Sequence, residues 1–194
     1  MAASFLLASG SPRRRELLGQ LGLTFDVQAA ELDEAVQPGE APRRYVERLA
    51  REKAAAVRQR RPGAVVLAAD TSVVVDDVIL GKPGSEATAG AAMLRALSGR
   101  THQVMTGVAV AGEAVEAVVV TSDVVFRPLT DAEIAWYVAT GEGADKAGGY
   151  ALQGRAAAFI SAIVGSSTSV IGLPLAESVE LLRRAGVRLP WEQA

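Results

Sequence analysis

Ala-Val-Val-Leu-Ala-Ala-Asp-Thr-Ser-Val-Val-Val-Asp-Asp-Val-Ile-Leu-Gly-Lys-Pro, residues 64–83, is the stretch from which the chain is best read. Val65 to Ala69 is an uninterrupted apolar run, the pattern of a strand buried on both faces. It ends at Asp70-Thr71, and a second apolar run covers Val73 to Val75. A turn at Asp76-Asp77 leads to Val78-Ile79-Leu80 and then to Gly81-Lys82-Pro83. A carboxylate where a buried strand surfaces sits on a rigid element, with room beside it for a metal or a water. A lone Asp70 would do no more than end a strand. Lys82 adds to it, because Pro83 holds that lysine extended and Gly81 leaves space beside it for a ligand. An acid and a base at the two ends of one hairpin point to an anionic, metal-bound ligand.

Upstream, Ser4 to Ala8 reads as a short apolar strand running into Ser9-Gly10-Ser11-Pro12-Arg13-Arg14-Arg15. Pro12 suits a first helical turn and Ser11 is a good N-cap. Leu17, Leu18 and Leu21 give the helix its apolar side, and Gly22 stops it. Small residues at a strand end, then arginines at a helix start, offer backbone N–H groups and guanidinium forks to a phosphate. Cations there oppose the helix dipole, which suggests that an anion accompanies them. Ser9, Ser11, Arg13 and Arg14 are therefore candidate substrate-binding residues.

Phe25 to Ala29 reads as a second strand, followed by the acidic loop Glu31-Leu32-Asp33-Glu34. A helix covers Ala41 to Arg60, with Val46, Leu49, Ala50 and Val57 on one side. Lys53 projects from the middle of that apolar stripe. It either snorkels to water or aims a positive charge into a cleft.

Beyond the hairpin, Ser85 to Ser98 reads as a helix with Ala89, Ala92, Met93, Ala96 and Leu97 inward. His102, Val104, Thr106, Val108 and Val110 alternate as one strand face, with His102 in a structural role. Gly112 marks a turn, and Val115 to Phe126 returns. Thr130 and Glu133 form a capping box for the helix over 131–140. Glu142 to Arg155 has no periodicity. Its glycines suit a loop that approaches a ligand or moves, with a plain flexible loop as the rival. A strand over 159–164, a small-polar turn over 165–169, and a helix opened by Leu173-Pro174-Leu175 complete the chain. Leu175, Val179 and Leu182 are expected on the inner side of that helix.

The 194 residues fit one domain, or one domain with two lobes, and are enough to bury a core. A net charge of −2 argues against a nucleic-acid partner. The absence of cysteine excludes disulfides and thiolate metal sites, and the single His102 excludes a histidine-rich cluster. The opening residues lack a basic leader, and no apolar run nears the roughly 20 residues needed to span a bilayer. A soluble, cytoplasmic protein without a membrane partner is expected.

Leu-Ala-Ser-Gly-Ser-Pro-Arg-Arg-Arg-Glu-Leu-Leu (Leu7 to Leu18) resembles the opening signature of the Maf family of nucleoside triphosphate pyrophosphatases. The resemblance continues in order through Glu47 to Ala54, Ala69-Asp70-Thr71, Gly81-Lys82-Pro83 and Leu97 to His102, then Asp145 to Tyr150 and Gly172 to Leu175. It implies an α/β fold, an elongated mixed twisted sheet flanked by helices, with two lobes around a substrate cleft and a homodimer as the assembly. It implies hydrolysis of a nucleoside triphosphate to the monophosphate and pyrophosphate with Mg²⁺ or Mn²⁺, removing non-standard or excess nucleotides. Asp70 matches the family's proton acceptor, and it is also the residue expected to hold the metal. Which of these it does, or whether it does both, stays open. Ser9, Arg13, Arg14, Lys53 and Lys82 match the lining of the phosphate site, and Glu34 its acidic neighbour. Arg13, Thr71 and Gln153 match the positions that sort the subfamilies, and the pair Thr71 and Gln153 is similar to the dTTP/UTP branch. Ser169 departs from the pattern, since many members carry Asn there. Two rivals are a nucleotidyltransferase and a nucleotide-binding regulator of cell division without turnover.

Overall fold

The computed structural model describes residues 5–192, so Ser4 of the expected first strand lies outside the described residues. The chain divides into two compact units. One comprises the residues up to Asp70, Thr106–Val120 and those from Gly172; the other comprises Thr71–Met105 and Thr121–Ile171. The strands are β1 (Phe5–Leu7), β2 (Phe25–Val27), β3 (Val65–Val75), β4 (Val78–Leu80), β5 (Thr101–Ala111), β6 (Val115–Phe126) and β7 (Ile160–Val164). They form one sheet in the order β2-β1-β3-β5-β6-β7, with β4 paired to β3. β1 pairs parallel with both β2 and β3, whereas β4 and β7 run antiparallel to their neighbours. The fold is α/β with a mixed sheet, as the motifs implied.

In the first unit, helices α1 (Pro12–Gln20) and α2 (Pro42–Arg60) begin with a proline in the first turn, where its missing N–H costs nothing. Beyond α1, Gly22 takes the left-handed conformation, φ 69°, that lets the chain leave the helix. Val46, Leu49, Ala50, Lys53, Ala54 and Val57 are the buried face of α2. That face meets small residues: Ala50 and Ala54 share a core with Ala68, Ala109 and Ala111. The approach is closest at Gly107, where a Cβ would stand 2.3 Å from the Val46 carbonyl oxygen. A seam of alanine and glycine thus draws α2 tightly onto the sheet. The same seam makes the second half of β5 buried on both faces, where the sequence suggested plain alternation. Helix α6 (Leu175–Arg184) buries Ser178, Leu181 and Leu182. Leu175 and Val179 are only half-buried, and Ser178 goes inside because its hydroxyl donates to the Pro174 carbonyl at 2.7 Å.

In the second unit, the core joins Val73, Val75, Leu94, Leu97, Val104, Phe126, Ile134, Tyr137, Tyr150 and Phe159. Helix α3 (Ala87–Leu97) buries Gly90, Leu94 and Leu97. Ala92, expected inward, is exposed, because bare Gly90 is the residue that admits Val138 of α4 (Asp131–Ala139). The capping box forms as read: Thr130 Oγ1 accepts from Glu133 N at 3.2 Å, and Glu133 Oε2 accepts from Thr130 N at 2.8 Å. The small-polar turn begins a short helix, α5 (Ser167–Ile171). No helix of the described residues is long and apolar enough to cross a membrane.

Asp70 does not end its strand. β3 continues through Thr71 and Ser72 to Val75, residues that a pleated, enclosed strand accommodates, before Asp76 and Asp77 turn the hairpin with φ of 50° and 60°.

Candidate active site

In the first unit, β3 presents Asp70 and the facing helix α2 presents Lys53, each nearly enclosed at 8% and 7% exposure. Lys53 Nζ donates to Asp70 Oδ1 at 2.7 Å. The tight seam under α2 brings the helix close enough for the Lys53 ammonium to meet the strand. The snorkelling alternative is therefore excluded. Lys53 Nζ also pairs with Glu34 Oε1 at 2.6 Å, from the irregular stretch between β2 and α2. One ammonium thus serves two carboxylates, Asp70 buried and Glu34 partly open to solvent.

The end of β1 and the start of α1 supply a second group of cations. Ser9 is buried, and its Oγ accepts from Arg14 Nη1 at 2.9 Å and from the Ser11 N–H at 3.3 Å. Arg14 Nε donates to the Gly172 carbonyl at 2.8 Å, which fixes the plane of the guanidinium. Burial lowers the pKa of Arg14, and the Asp70 and Glu34 carboxylates raise it against that trend. The Arg13 charge lowers it further. Arg13 itself is half-buried and makes no hydrogen bond or ion pair with other described residues. The first turn of α1 contains no acidic residue. Seven of the ten candidates thus fall in this unit: Ser9, Ser11, Arg13, Arg14, Glu34, Lys53 and Asp70.

Thr71, Lys82 and Gln153 belong to the second unit. Thr71 follows Asp70 on β3 and is half-buried. Lys82, just past β4, is exposed and has no hydrogen bond or ion pair with other described residues. Its segment is held on both sides, by the Gly148 N–H donating to the Gly81 carbonyl and the Gly84 N–H donating to the Ala144 carbonyl, each at 3.0 Å. Gln153 is exposed on a turn gripped by Glu142, whose Oε1 accepts from the Arg155 N–H at 2.9 Å and from Tyr137 Oη at 3.1 Å.

The glycine-rich stretch around Gln153 is packed rather than loose. A Cβ at Gly143 would stand 2.0 Å from the Gly149 carbonyl oxygen, and one at Gly154 would stand 2.1 Å from Glu142 Oε1. These glycines make room for the protein's own atoms. His102 is structural, as expected: it is 2% exposed, and Nε2 shares a hydrogen bond with Tyr150 Oη at 2.8 Å. Burial pulls its pKa down to about 4.

Sequence reasoning missed Tyr45 and Arg48. Tyr45, Leu49 and Lys53 follow at four-residue spacing on α2, which was the available signal. An aromatic in such a stripe reads as core until its hydroxyl is seen to donate to the Glu34 carbonyl at 2.9 Å.

Among the described residues, no group of three or more His, Cys, Asp or Glu side chains could hold a metal ion. What the first unit offers is a pair of hard oxygen donors, Asp70 and Glu34, beside fixed cations. That set fits an ion that takes one or two protein carboxylates and completes its shell with phosphate oxygens and water, as Mg²⁺ does.

A family model described as Maf-like protein matches residues 4–185. A dTTP/UTP pyrophosphatase of Anaeromyxobacter dehalogenans (strain 2CP-C) is 58% identical over 199 residues, covering 100% of both chains. The dTTP/UTP pyrophosphatase of Myxococcus xanthus (strain DK1622) is 54% identical over 96% of this chain and 94% of its own. That of Acinetobacter baylyi is 50% identical over 92% and 97%. A solved structure, a nucleoside-triphosphatase / dITP/XTP pyrophosphatase from Mycobacterium abscessus, is 18% identical over 94% of this chain and 95% of that one. Its TM-score is 0.45.

Proposed function

The chain belongs to the Maf-like protein family, and from that premise we propose that it hydrolyses dTTP and UTP to the nucleoside monophosphate and pyrophosphate. The observation that carries the reading is the buried Lys53–Asp70 pair beside a guanidinium whose plane Ser9 and Gly172 fix. Cations fixed before substrate arrives do not have to reorganise when charge builds on a leaving group.

The reaction is attack of water at the α-phosphorus with departure of pyrophosphate. Asp70, a carboxylate on a rigid strand, takes the water proton, and Lys53 orients Asp70 through the hydrogen bond to its Oδ1. Arg13 and Arg14 take up negative charge on the departing pyrophosphate, aided by the N–H groups at the start of α1. A divalent ion, Mg²⁺ or Mn²⁺, would be held by Asp70 and Glu34 with phosphate oxygens, and would supply charge neutralisation and a more acidic water. Lys82 is assigned to the phosphates, and Thr71 and Gln153 to the choice of base. Those three assignments rest on the motif positions and, for Lys82 and Gln153, on exposed side chains that make no hydrogen bond or ion pair with other described residues. Gln153 carries both a donor and an acceptor, which suits a pyrimidine edge. A site built on such bonds rejects bases that leave them unpaired. Clearing non-standard or excess nucleotides is the role this chemistry would serve.

The test is pyrophosphate release from single nucleotides in Mg²⁺ or Mn²⁺. dTTP and UTP should lead ATP, GTP and 7-methyl-GTP. Binding without release would favour a regulator, and a requirement for a second phosphate-bearing substrate would favour nucleotidyl transfer. A ranking headed by 7-methyl-GTP would overturn the choice of branch alone.

A further inference from the structure

The stretch between β2 and α2 has no regular secondary structure, and most of its side chains are exposed. It is nevertheless tied to α2 at consecutive points. Tyr45 Oη donates to the Glu34 carbonyl at 2.9 Å, and Arg48 Nη2 donates to the next carbonyl, that of Ala35, at 3.1 Å. Arg48 also grips Glu40 with both arms of its fork, Nε to Oε1 at 2.6 Å and Nη2 to Oε2 at 2.7 Å. Glu40 in turn accepts from the Gln37 N–H at 3.1 Å, and Asp33 Oδ1 accepts from the Ala35 N–H at 3.0 Å. The Arg48 guanidinium lies 5.6 Å from the centre of the Tyr45 ring, so the two ties support each other.

These ties act on the backbone at the point where Glu34 leaves it. The Glu34 side chain is 44% exposed, and the solvent-open end of an ion pair is easily given up when it is free to move. With its carbonyl bound to Tyr45 and the next bound to Arg48, Glu34 keeps only side-chain freedom, so its carboxylate stays on Lys53. We propose that Tyr45 and Arg48 are positioning residues for the reaction: they strap the acidic stretch to α2 so that Glu34 holds the Lys53 ammonium in place. The inference rests on the reading of Lys53 and Asp70 as part of the reacting centre. A lysine aimed before the triphosphate arrives works on turnover more than on affinity.

The experiment compares Tyr45→Phe, which removes one hydroxyl, in the otherwise unchanged chain and in a Glu34→Gln background. Arg48→Lys, which keeps the charge and loses the fork, is the second variant. Pyrophosphate release from dTTP gives the kinetics, and nicking by a glutamate-specific protease after Glu34 or Glu40 reports the strap without reference to activity. In the unchanged chain, Tyr45→Phe is expected to lower kcat on the order of fivefold with little change in KM, the effect of losing one hydrogen bond. In the Glu34→Gln background it should lower kcat no further. Nicking should speed up in both strap variants with the unfolding midpoint held. An equal fall in both backgrounds, or unchanged nicking, would overturn the proposal. If the unaltered protein released no pyrophosphate from any nucleotide, the functional reading would fail by itself, and the protease result would still uphold or overturn the strap.

Discussion

Lys53 and Lys82 both match the motif positions that line the phosphate site, yet their removal should differ in kind. Lys53 is paired with two carboxylates, so Lys53→Ala strands the buried Asp70 charge as well as removing the group that orients it. Breaking such a pair costs on the order of 3 kcal/mol. Lys82 is exposed and makes no hydrogen bond or ion pair with other described residues, so Lys82→Ala should hold stability within about 0.5 kcal/mol while lowering turnover. Thermal melts run beside pyrophosphate release check both, and equal melting temperatures for the two variants would contradict the ion pair. His102 sets a pH dependence of its own. Burial depresses it from its ordinary 6.5 to about 4, so between those values the unfolded chain binds more protons than the folded one. Stability should therefore be lost as pH falls through that window, by about 3 kcal/mol once pH 4 is reached. His102→Phe should be less stable at neutral pH, because Tyr150 Oη loses its partner, but flatter from 6.5 downward. An unchanged slope in a melting-against-pH series would assign the acid sensitivity to other groups.

At the scale of elements, the contact between α2 and β5 decides where Lys53 stands. Gly107 allows it, and a methyl there would meet the Val46 backbone at 2.3 Å, where no rotamer can relieve the clash. Gly107→Ala should cost about 1–3 kcal/mol, in the range of core overpacking, and should lower turnover even at temperatures where the variant stays folded. Circular dichroism melts with parallel kinetics would check this, and a stable, fully active variant would contradict the seam. Period and punctuation made much of the fold legible. Pro12 and Pro42 open their helices as the sequence suggests, and Thr130 with Glu133 caps α4. Misreadings come where a small or polar residue behaves as core. Gly90 and Ser178 lie on buried faces that an apolar count assigns to Ala92 and Val179. Asp70 reads as a strand end because its charge interrupts an apolar run. The strand continues because Lys53 pairs that charge, and the pairing comes from another element. The same limit hides Tyr45, whose role depends on a carbonyl that periodicity cannot see.

For the whole molecule, the metal should be tied to substrate rather than to folding. No described group of three or more metal-binding side chains forms a cage, so a chelator should abolish turnover and leave the melting temperature unchanged. Added Mg²⁺ or Mn²⁺ should restore activity, and a large fall in melting temperature with chelator would point to a structural ion instead. The central claim is that the Asp70 carboxylate drives release of pyrophosphate from a pyrimidine triphosphate. Its most direct measurement is pyrophosphate release from dTTP by the unaltered protein and by Asp70→Asn, which keeps the shape and removes the charge. The unaltered protein should turn over and the folded variant should be slower on the order of a hundredfold or more. A folded Asp70→Asn protein that hydrolyses dTTP at the unaltered rate would contradict the account.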